Sequence, residues 1–357
     1  MALPLVAVLC GLVAGVSPAV AIIGGTPAPP DRWPWMAALL SSSVDDVTWA
    51  QYCGGVVIGK RRVLTAGHCV IGAKPSDIDV LLGRTRLSLS GGQRLGVDAI
   101  GVYPGLTSGR QPSLDAAVVK LSAPAGVPPV ELARPGQDAA FAPGTQAWTM
   151  GWGALHARRT PGKHVFFADR LRELAMPVQG DDACEGVFGI GFAGFPYRPE
   201  WVLCAGDAAG STGTCNGDSG GPLVVDSPDG WLDVGVVSGG DACASRGYYD
   251  LFARVDAISD WALGPDMVMQ PEPDRPPHVV GELIEGRRMR CAHGRWRGRV
   301  ERFTFEWTRA GDDGQRVLGR HPTYRVTRRD VRTGIRCSVT AANQGGRFTA
   351  VAVAPAA

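Results

Sequence analysis

The sequence predicts an all-β protein with two domains. With 357 residues, 45% of them hydrophobic, the chain is globular in composition and longer than one hydrophobic core usually spans. Between residues 35 and 261, short apolar runs such as VLLG and GPLVV are broken by Gly, Pro and Asp, as is typical of strands in barrels and sandwiches. Residues 265–357 carry 17 Arg against 10 acidic residues, whereas residues 1–264 carry 19 basic and 24 acidic residues. This change of sign predicts a domain boundary near residue 264.

The first 21 residues predict a signal peptide. Residues 3–16 form an apolar stretch too short for an ordinary membrane span, and Ala19 and Ala21 fit the A-x-A pattern of signal-peptidase cleavage. No Lys or Arg precedes the stretch, which departs from the usual pattern, and the alternative is an uncleaved anchor. We expect cleavage after Ala21 and a secreted, extracellular protein without a membrane span.

The remaining chain divides at a proline-rich segment. Residues 22–263 contain the short apolar runs and end in RVDAISDWAL, where apolar residues three or four positions apart predict a short helix over 254–263. Residues 264–277 contain five prolines and several charges, which predicts a semi-rigid, extended linker. In residues 278–357, stretches such as RFTFEWTR and GIRCSVTA alternate apolar and polar residues, which predicts strands with one buried face.

Cysteine usage indicates disulfide bonds. Cys10 would leave with the signal peptide, so the mature chain would keep eight of nine cysteines, an even number suited to an oxidising compartment. No C-x-x-C pair occurs, and the segment GRTRLSLSGGQ lacks the acidic residues of a calcium loop. We therefore predict neither a metal nor a cofactor. The cysteines expected to pair are Cys53, Cys69, Cys184, Cys204, Cys215, Cys243, Cys291 and Cys337.

The motif GDSGGP surrounds a candidate nucleophile, Ser219, with glycine. A serine hydroxyl needs a neighbouring base, and the best candidate is His68 in LTAGHC. Asp115 begins the apolar run LDAAVVKL, where an acid is costly unless its charge holds another group such as an imidazolium. Gly217 would let its N–H approach an oxyanion without a Cβ in the way, and Ser219 would supply a second N–H.

Eight motifs resemble those of trypsin/chymotrypsin-like serine proteases in order and approximate spacing over residues 22–263: IIGG, CGG, TAGHC, LDAAVVKL, GWG, LCAG, GDSGGP and VSGG. The resemblance implies a chymotrypsin-like fold of two antiparallel barrels with the active site between them. It implies that Ser219 is the nucleophile, His68 the general base and then acid, and Asp115 the residue that sets the histidine tautomer. The amides of Gly217 and Ser219 resemble the oxyanion hole.

The resemblance also implies three disulfide pairings and an activation step. The pairings are Cys53–Cys69, Cys184–Cys204 and Cys215–Cys243. In this family the ammonium of a new N-terminus pairs with the acid before the nucleophile, here Ile22 with Asp218. Ala21 stands where an activating protease would usually find Arg or Lys, so we hypothesise that signal-peptide cleavage itself exposes Ile22.

Substrate preference has two interpretations. Trypsins carry an Asp six residues before the nucleophile, and this chain has Gly213, whereas Asp250 occupies a position that is usually glycine. If the acid has moved from one wall of the pocket to the other, we expect a basic or broad preference for the residue before the scissile bond (P1). Alternatively, Asp250 faces solvent or is neutralised by Arg246. Ser238 and Gly240 are expected to bind an extended substrate through their backbones.

The second domain is predicted to be a small Ig-like β-sandwich over residues 278–357. DVRTGIRC resembles the approach to the second cysteine of immunoglobulin domains, with Ile335 in place of the corner tyrosine, which implies a Cys291–Cys337 bridge near Trp307. Sixteen arginines lie between residues 287 and 347. They could contact a cell-wall or other anionic polymer, or they could form a solvated face that follows from coding bias. No nucleic-acid-binding module is indicated.

The leading functional prediction is a secreted serine endopeptidase whose substrates are proteins or peptides. One alternative is a binding protein or adhesin that acts mainly through the Arg-rich domain, and another is a non-catalytic protease homologue. All three triad positions are present, which favours the enzyme. The chain has 32 Arg and 4 Lys, a bias typical of GC-rich bacterial genomes, so we expect a bacterial protein of actinobacterial type.

Overall fold

A computed structural model of the chain describes residues 22–104, 106, 114–154, 167–188, 197–240, 243–265, 268–309 and 316–354. The predicted signal peptide, with Cys10, lies outside these residues. In the described part, no helix combines the length and the apolar composition needed to span a membrane.

The first half of residues 22–263 forms a closed barrel of six strands. Neighbouring strands are antiparallel, in the order β2-β3-β4-β7-β6-β5. Val, Ile and Leu side chains fill its interior, as expected for strands buried on one face. The elements of this half are β1 Thr26–Pro27, β2 Met36–Ser41, α1 Val47–Ala50, β3 Gln51–Gly59, β4 Arg62–Thr65, α2 Gly67–Val70, β5 Ile78–Leu82, β6 Gln93–Val102 and β7 Ala117–Leu121.

The second half forms a sheet that curls into a half-barrel. Its strand order is β1-β10-β9-β12-β13-β14-β11, with β8 beside β13, and a bridge between Val178 and Ala205 brings its two ends together. The elements are β8 Glu131–Leu132, β9 Gln146–Gly151, β10 Arg172–Pro177, α3 Asp181–Phe188, β11 Val202–Ala205, β12 Pro222–Ser227, β13 Gly230–Gly239, β14 Asp250–Arg254 and α4 Ser259–Leu263. The all-β, two-barrel prediction is confirmed, although the last helix is shorter than its apolar spacing indicates.

The C-terminal region contains two three-stranded sheets, β16-β17-β20 and β19-β21-β22, and one two-stranded sheet, β15-β18. A Cys291–Cys337 disulfide joins β17 to β21 across the two larger sheets, beside the buried Trp307. This arrangement is compatible with an Ig-like sandwich. The elements are β15 Glu272–Arg275, β16 His278–Val280, β17 Arg288–Ala292, β18 Arg295–Arg297, β19 Arg302–Arg309, β20 Thr323–Arg325, α5 Arg328–Thr333, β21 Ile335–Asn343 and β22 Gly346–Val353.

The segment expected to be an extended linker makes specific contacts. Its residues 272–275 form β15, which pairs with β18. Gln270 is buried against the first barrel: its backbone N–H donates to Ile100 O at 2.9 Å and its Nε2 donates to Ala73 O at 2.6 Å. Residues 272–275 are extended as a strand, but the proline content carries no information about these long-range hydrogen bonds.

Arg32, in the segment between Ile22 and the first barrel, contacts two residues of the second barrel. The Arg32 guanidinium lies 4.3 Å from the ring centroid of Trp148 and pairs with Glu173 at 2.8 Å. Trp33 Nε1 donates to the other Glu173 oxygen at 2.6 Å. Glu173 is buried, so loss of Arg32 would leave a buried carboxylate without its ion-pair partner.

Replacing Arg32 should therefore destabilise the protein. We expect Arg32→Ala to cost about 2 kcal/mol in chemical denaturation, less than for a fully buried pair because Arg32 is partly exposed. Arg32→Lys retains the charge but loses the flat stacking surface, so its loss should be intermediate. A change below about 0.5 kcal/mol for Arg32→Ala would contradict this role.

Candidate active site

The His68 and Asp115 side chains meet at the rim of the first barrel. His68 lies on the short helix α2, which begins two residues after the end of β4, and Asp115 lies two residues before the start of β7. Asp115 Oδ2 is 2.6 Å from His68 Nδ1, while Asp115 Oδ1 accepts the His68 backbone N–H at 2.9 Å. The carboxylate therefore contacts both the ring and the backbone of the same histidine, which restricts the orientation of the ring.

Ser238 donates its side-chain hydroxyl to Asp115 Oδ2 at 2.7 Å. The sequence assigned Ser238 only a backbone contact with substrate, so this bond from the second barrel to the first was missed. No local pattern could indicate it, because the two residues are 123 positions apart.

The electrostatics of the pair favour charge on both groups. Burial favours the neutral form of Asp115, but the hydrogen bonds and charge of His68, with the Ser238 hydroxyl, lower the pKa of Asp115 below its ordinary value. Burial likewise opposes the charged form of His68, but the hydrogen bond and charge of Asp115 raise the pKa of His68. A protonated imidazole is thus stabilised in this site.

The turn that carries Ser219 packs against the segment that carries His68. Ser219 O accepts the Gly54 N–H at 2.7 Å and lies 3.8 Å from Cys69 Sγ. Gly220 has φ +82°, and a Cβ at this position would overlap Thr65 Oγ1. The glycine after Ser219 therefore permits a close approach between the two barrels.

Gly217 also occupies a position where a side chain would not fit. Its φ is +93°, and a Cβ would lie 2.8 Å from Phe167 Cε1. The carbonyl of Gly217 accepts a hydrogen bond from the buried Gln51 Nε2 at 2.9 Å. Gln51, which the sequence did not single out, thus holds the peptide beside the candidate oxyanion amides.

Asp218 is completely buried directly before Ser219. Its Oδ1 accepts the Gly153 N–H at 2.8 Å and its Oδ2 accepts the Cys215 N–H at 2.9 Å. Burial raises the pKa of Asp218 to about 7 despite these two hydrogen bonds. Ile22 is also fully buried.

The segment after Ile22 lies beside the chain that leads to Asp218. Ile23 forms a β-bridge with Gly213, and the Gly213 N–H donates to Ile23 O at 3.0 Å. A Cβ at Gly24 would overlap the Thr212 side chain, so the approach of the two backbones requires glycine here. The N-terminal segment and the turn before the nucleophile thus form one packed unit.

The Asp250 carboxylate lies between Gly213 and Gly240. A Cβ on Gly213 would be 3.0 Å from Asp250 Oδ2, and one on Gly240 would be 3.7 Å from Oδ1. Oδ2 accepts the Thr214 N–H at 2.9 Å. Within the described ranges Asp250 forms no ion pair with Arg246, so the interpretation of a neutralised carboxylate gains no support. Burial raises the pKa of Asp250 to about 6, and the Thr214 hydrogen bonds oppose this shift.

Disulfides join the segments that carry these groups. The observed pairs are Cys53–Cys69, Cys184–Cys204, Cys215–Cys243 and Cys291–Cys337. Cys53, His68 and Cys69 form the one cluster of metal-ligand type found among the described residues, with ligand atoms within 4.8 Å of one another. Because both sulfurs are in a disulfide, they are not available as thiolate ligands.

Comparisons with known proteins identify the family. The family model described as Trypsin matches residues 22–262. A protein named Trypsin from Saccharopolyspora erythraea is 36% identical over 239 residues, which are 67% of this chain and 95% of that protein. Serine protease 28 of Mus musculus is 32% identical over 251 residues, which are 68% of this chain and 88% of that protein. The chain therefore belongs to the trypsin family of serine proteases and is a serine endopeptidase.

Proposed function

We propose that this protein is a secreted endopeptidase that uses Ser219, His68 and Asp115 as its catalytic triad and prefers a basic P1 residue. The observation that carries the proposal is the contact of both Asp115 oxygens with His68, beside the turn that holds Ser219. The apolar stretch before Ala19–Ala21 and the disulfide usage support export.

Acylation begins with proton removal from the nucleophile. Ser219 Oγ attacks the carbonyl carbon of the scissile bond while His68 Nε2 takes the hydroxyl proton. Nδ1–H of the resulting imidazolium donates to the Asp115 carboxylate, which remains ionised. The raised pKa of His68 and the lowered pKa of Asp115 both favour this charge distribution.

The negative oxygen of the tetrahedral intermediate accepts hydrogen bonds from the Gly217 and Ser219 amides. His68 Nε2 then returns the proton to the leaving amine, and the C–N bond breaks. In deacylation, His68 removes a proton from water, which attacks the acyl-enzyme, and the proton goes back to Ser219 Oγ. The carboxylic acid product leaves and the free serine is restored.

Activation supplies a positive charge to Asp218. Cleavage before Ile22 would create an ammonium group at a buried residue, and we infer that this group reaches the Asp218 carboxylate, which has only backbone partners among the described residues. Pairing with this ammonium offsets the cost of burying the Asp218 charge, and it keeps the turn with Gly217 in the conformation that binds the oxyanion.

The substrate pocket is built around Asp250. Gly213 and Gly240 leave space beside its carboxylate, the Cys215–Cys243 disulfide joins two of its walls, and Ser238 and Gly240 bind the substrate backbone. A Lys or Arg side chain that enters this space would pair with Asp250. Because the acid lies on the wall opposite the usual position, we expect tolerance of other residues as well.

We also propose that the C-terminal region contacts an anionic polymer. Its arginines exceed its acidic residues by seven, and many are exposed. Such an excess attracts polyanions over distances of about a Debye length. This role would accompany the peptidase activity, not replace it.

Triad variants test the peptidase proposal. Ser219→Ala and His68→Ala should each lower kcat/KM by at least about 10⁴-fold, because each removes a group that reacts. A serine-directed phosphonate should label the protein once, and Ser219→Ala should abolish the label seen by mass spectrometry. Ser211→Ala, at an exposed serine, is the matched control and should be labelled normally. Persistent labelling of Ser219→Ala would refute the assignment of the nucleophile.

The pH dependence of specificity tests the pocket. Asp250 is charged above its pKa of about 6, so the ratio of kcat/KM for Arg over Phe substrates should be high above pH 6 and fall below it. The His68 titration acts on both substrates and cancels in the ratio. Asp250→Asn keeps the shape of the side chain and should lower the ratio roughly 10- to 100-fold at pH 8. A ratio unaffected by this change would reject the pocket assignment.

A further inference from the structure

We propose that the outer face of the sheet β19-β21-β22 holds a binding groove for a uronic-acid polysaccharide. This inference rests on the proposed polyanion contact of the C-terminal region and assigns it a site and a ligand class. The inner face of the sheet is the domain core, where Trp307, Cys337 and Val339 are fully buried. Around the groove the outer face is mostly polar, and no described element covers it there.

Strand register creates the groove. Arg302 on β19, Ala342 on β21 and Arg347 on β22 lie opposite one another in one row across the sheet. Two long side chains therefore flank a methyl group. The two arginine Cα atoms are separated by two strand spacings, about 9–10 Å. A cavity of about 370 Å³ opens there, large enough for part of a sugar chain.

The groove carries unused positive charge. Neither the Arg302 side chain nor the Arg347 side chain makes a hydrogen bond or ion pair with any described residue, so both guanidinium groups are available for a ligand. Each presents a planar set of donors that matches a carboxylate. Glu301 also lines the cavity. Its negative charge disfavours densely charged polymers and favours carboxylates spaced along a chain.

Hydroxyl groups extend the site along the strands. Thr304, Thr340 and Thr349 form the next row of the same face, and the Thr340 and Thr349 hydroxyls share a hydrogen bond of 2.7 Å. The Thr304 hydroxyl has no partner among the described residues. Hydroxyls that can donate and accept are suited to sugar hydroxyls, which acidic peptides and polyphosphate lack.

The groove is fixed to the catalytic region. Asn343 lines it and is buried: its Nδ2 donates to Met269 O at 2.8 Å and Arg299 O at 2.9 Å, and its Oδ1 accepts the Gly345 N–H. Gly345 O in turn accepts the Val102 N–H of the first barrel at 2.8 Å. The site is thus preorganised, and binding would hold the peptidase on a polysaccharide matrix, near proteins embedded in it.

Titration of the full-length mature protein with labelled hexagalacturonate at low salt tests the groove. We expect Arg302→Ala and Arg347→Ala to weaken binding about five- to ten-fold each, and the double variant to abolish measurable binding. Arg328→Ala is the matched control, since it removes an exposed arginine beyond the other end of β21 and should change binding less than two-fold. Thr304→Val should weaken hexagalacturonate binding but not the binding of polyphosphate. Neutral maltohexaose should not bind.

Retained hexagalacturonate binding in the double arginine variant would overturn the proposal. An equal loss of binding with Arg328→Ala would also overturn it, because it would indicate diffuse charge attraction. Stronger binding of polyphosphate than of hexagalacturonate would also overturn it. Hydrolysis of a small synthetic substrate should remain unchanged in the groove variants, and Ser219→Ala should bind hexagalacturonate normally. Failure of the groove and failure of the proposed peptidase mechanism are therefore distinguishable in the same preparations.

Discussion

Asp218, directly before the candidate nucleophile Ser219, has a carboxyl group that is completely shielded from water. In the proposed mechanism, the conformation of the turn around it depends on a positive charge that balances this carboxylate. Two backbone amides bind its oxygens, and burial still raises its pKa to about 7. Burying a charge with only neutral partners is costly, so a nearby cation would stabilise the ionised form of Asp218. In the proposed mechanism the ammonium of Ile22 is that cation, which couples chain processing to the shape of the oxyanion hole.

The two barrels contribute different parts of the site, and hydrogen bonds between them hold those parts in register. His68 and Asp115 come from the first barrel, whereas Ser219 and the proposed pocket acid Asp250 come from the second. The Ser238 hydroxyl crosses from the second barrel to Asp115. If the proposed triad and pocket are correct, relative movement of the barrels would disturb both together, and catalysis and substrate binding would depend on the same contacts.

The sequence predicted the barrels and the candidate chemical groups, because short apolar runs and the motifs around Ser219 and His68 are local signals. It did not reveal the Ser238 side-chain bond, the contact of Gln51 with Gly217, or the burial of Gln270 inside the expected linker. Each of these depends on residues far apart in the chain, and no periodicity records such a contact. The sequence shows a glycine at position 213 and an acid at position 250, each unusual for the family. Only the folded structure shows that the Asp250 carboxylate lies beside Gly213.

The most direct measurement compares two preparations that differ only at the first residue: one begins at Ile22, and the other carries one uncleavable residue before it. We expect the first preparation to hydrolyse peptide substrates and to lose activity as its ammonium deprotonates at alkaline pH. The second should be at least about 100-fold less active, because a peptide bond carries no charge to balance Asp218. Equal activity of the two preparations would show that the Ile22 ammonium is not needed to balance Asp218.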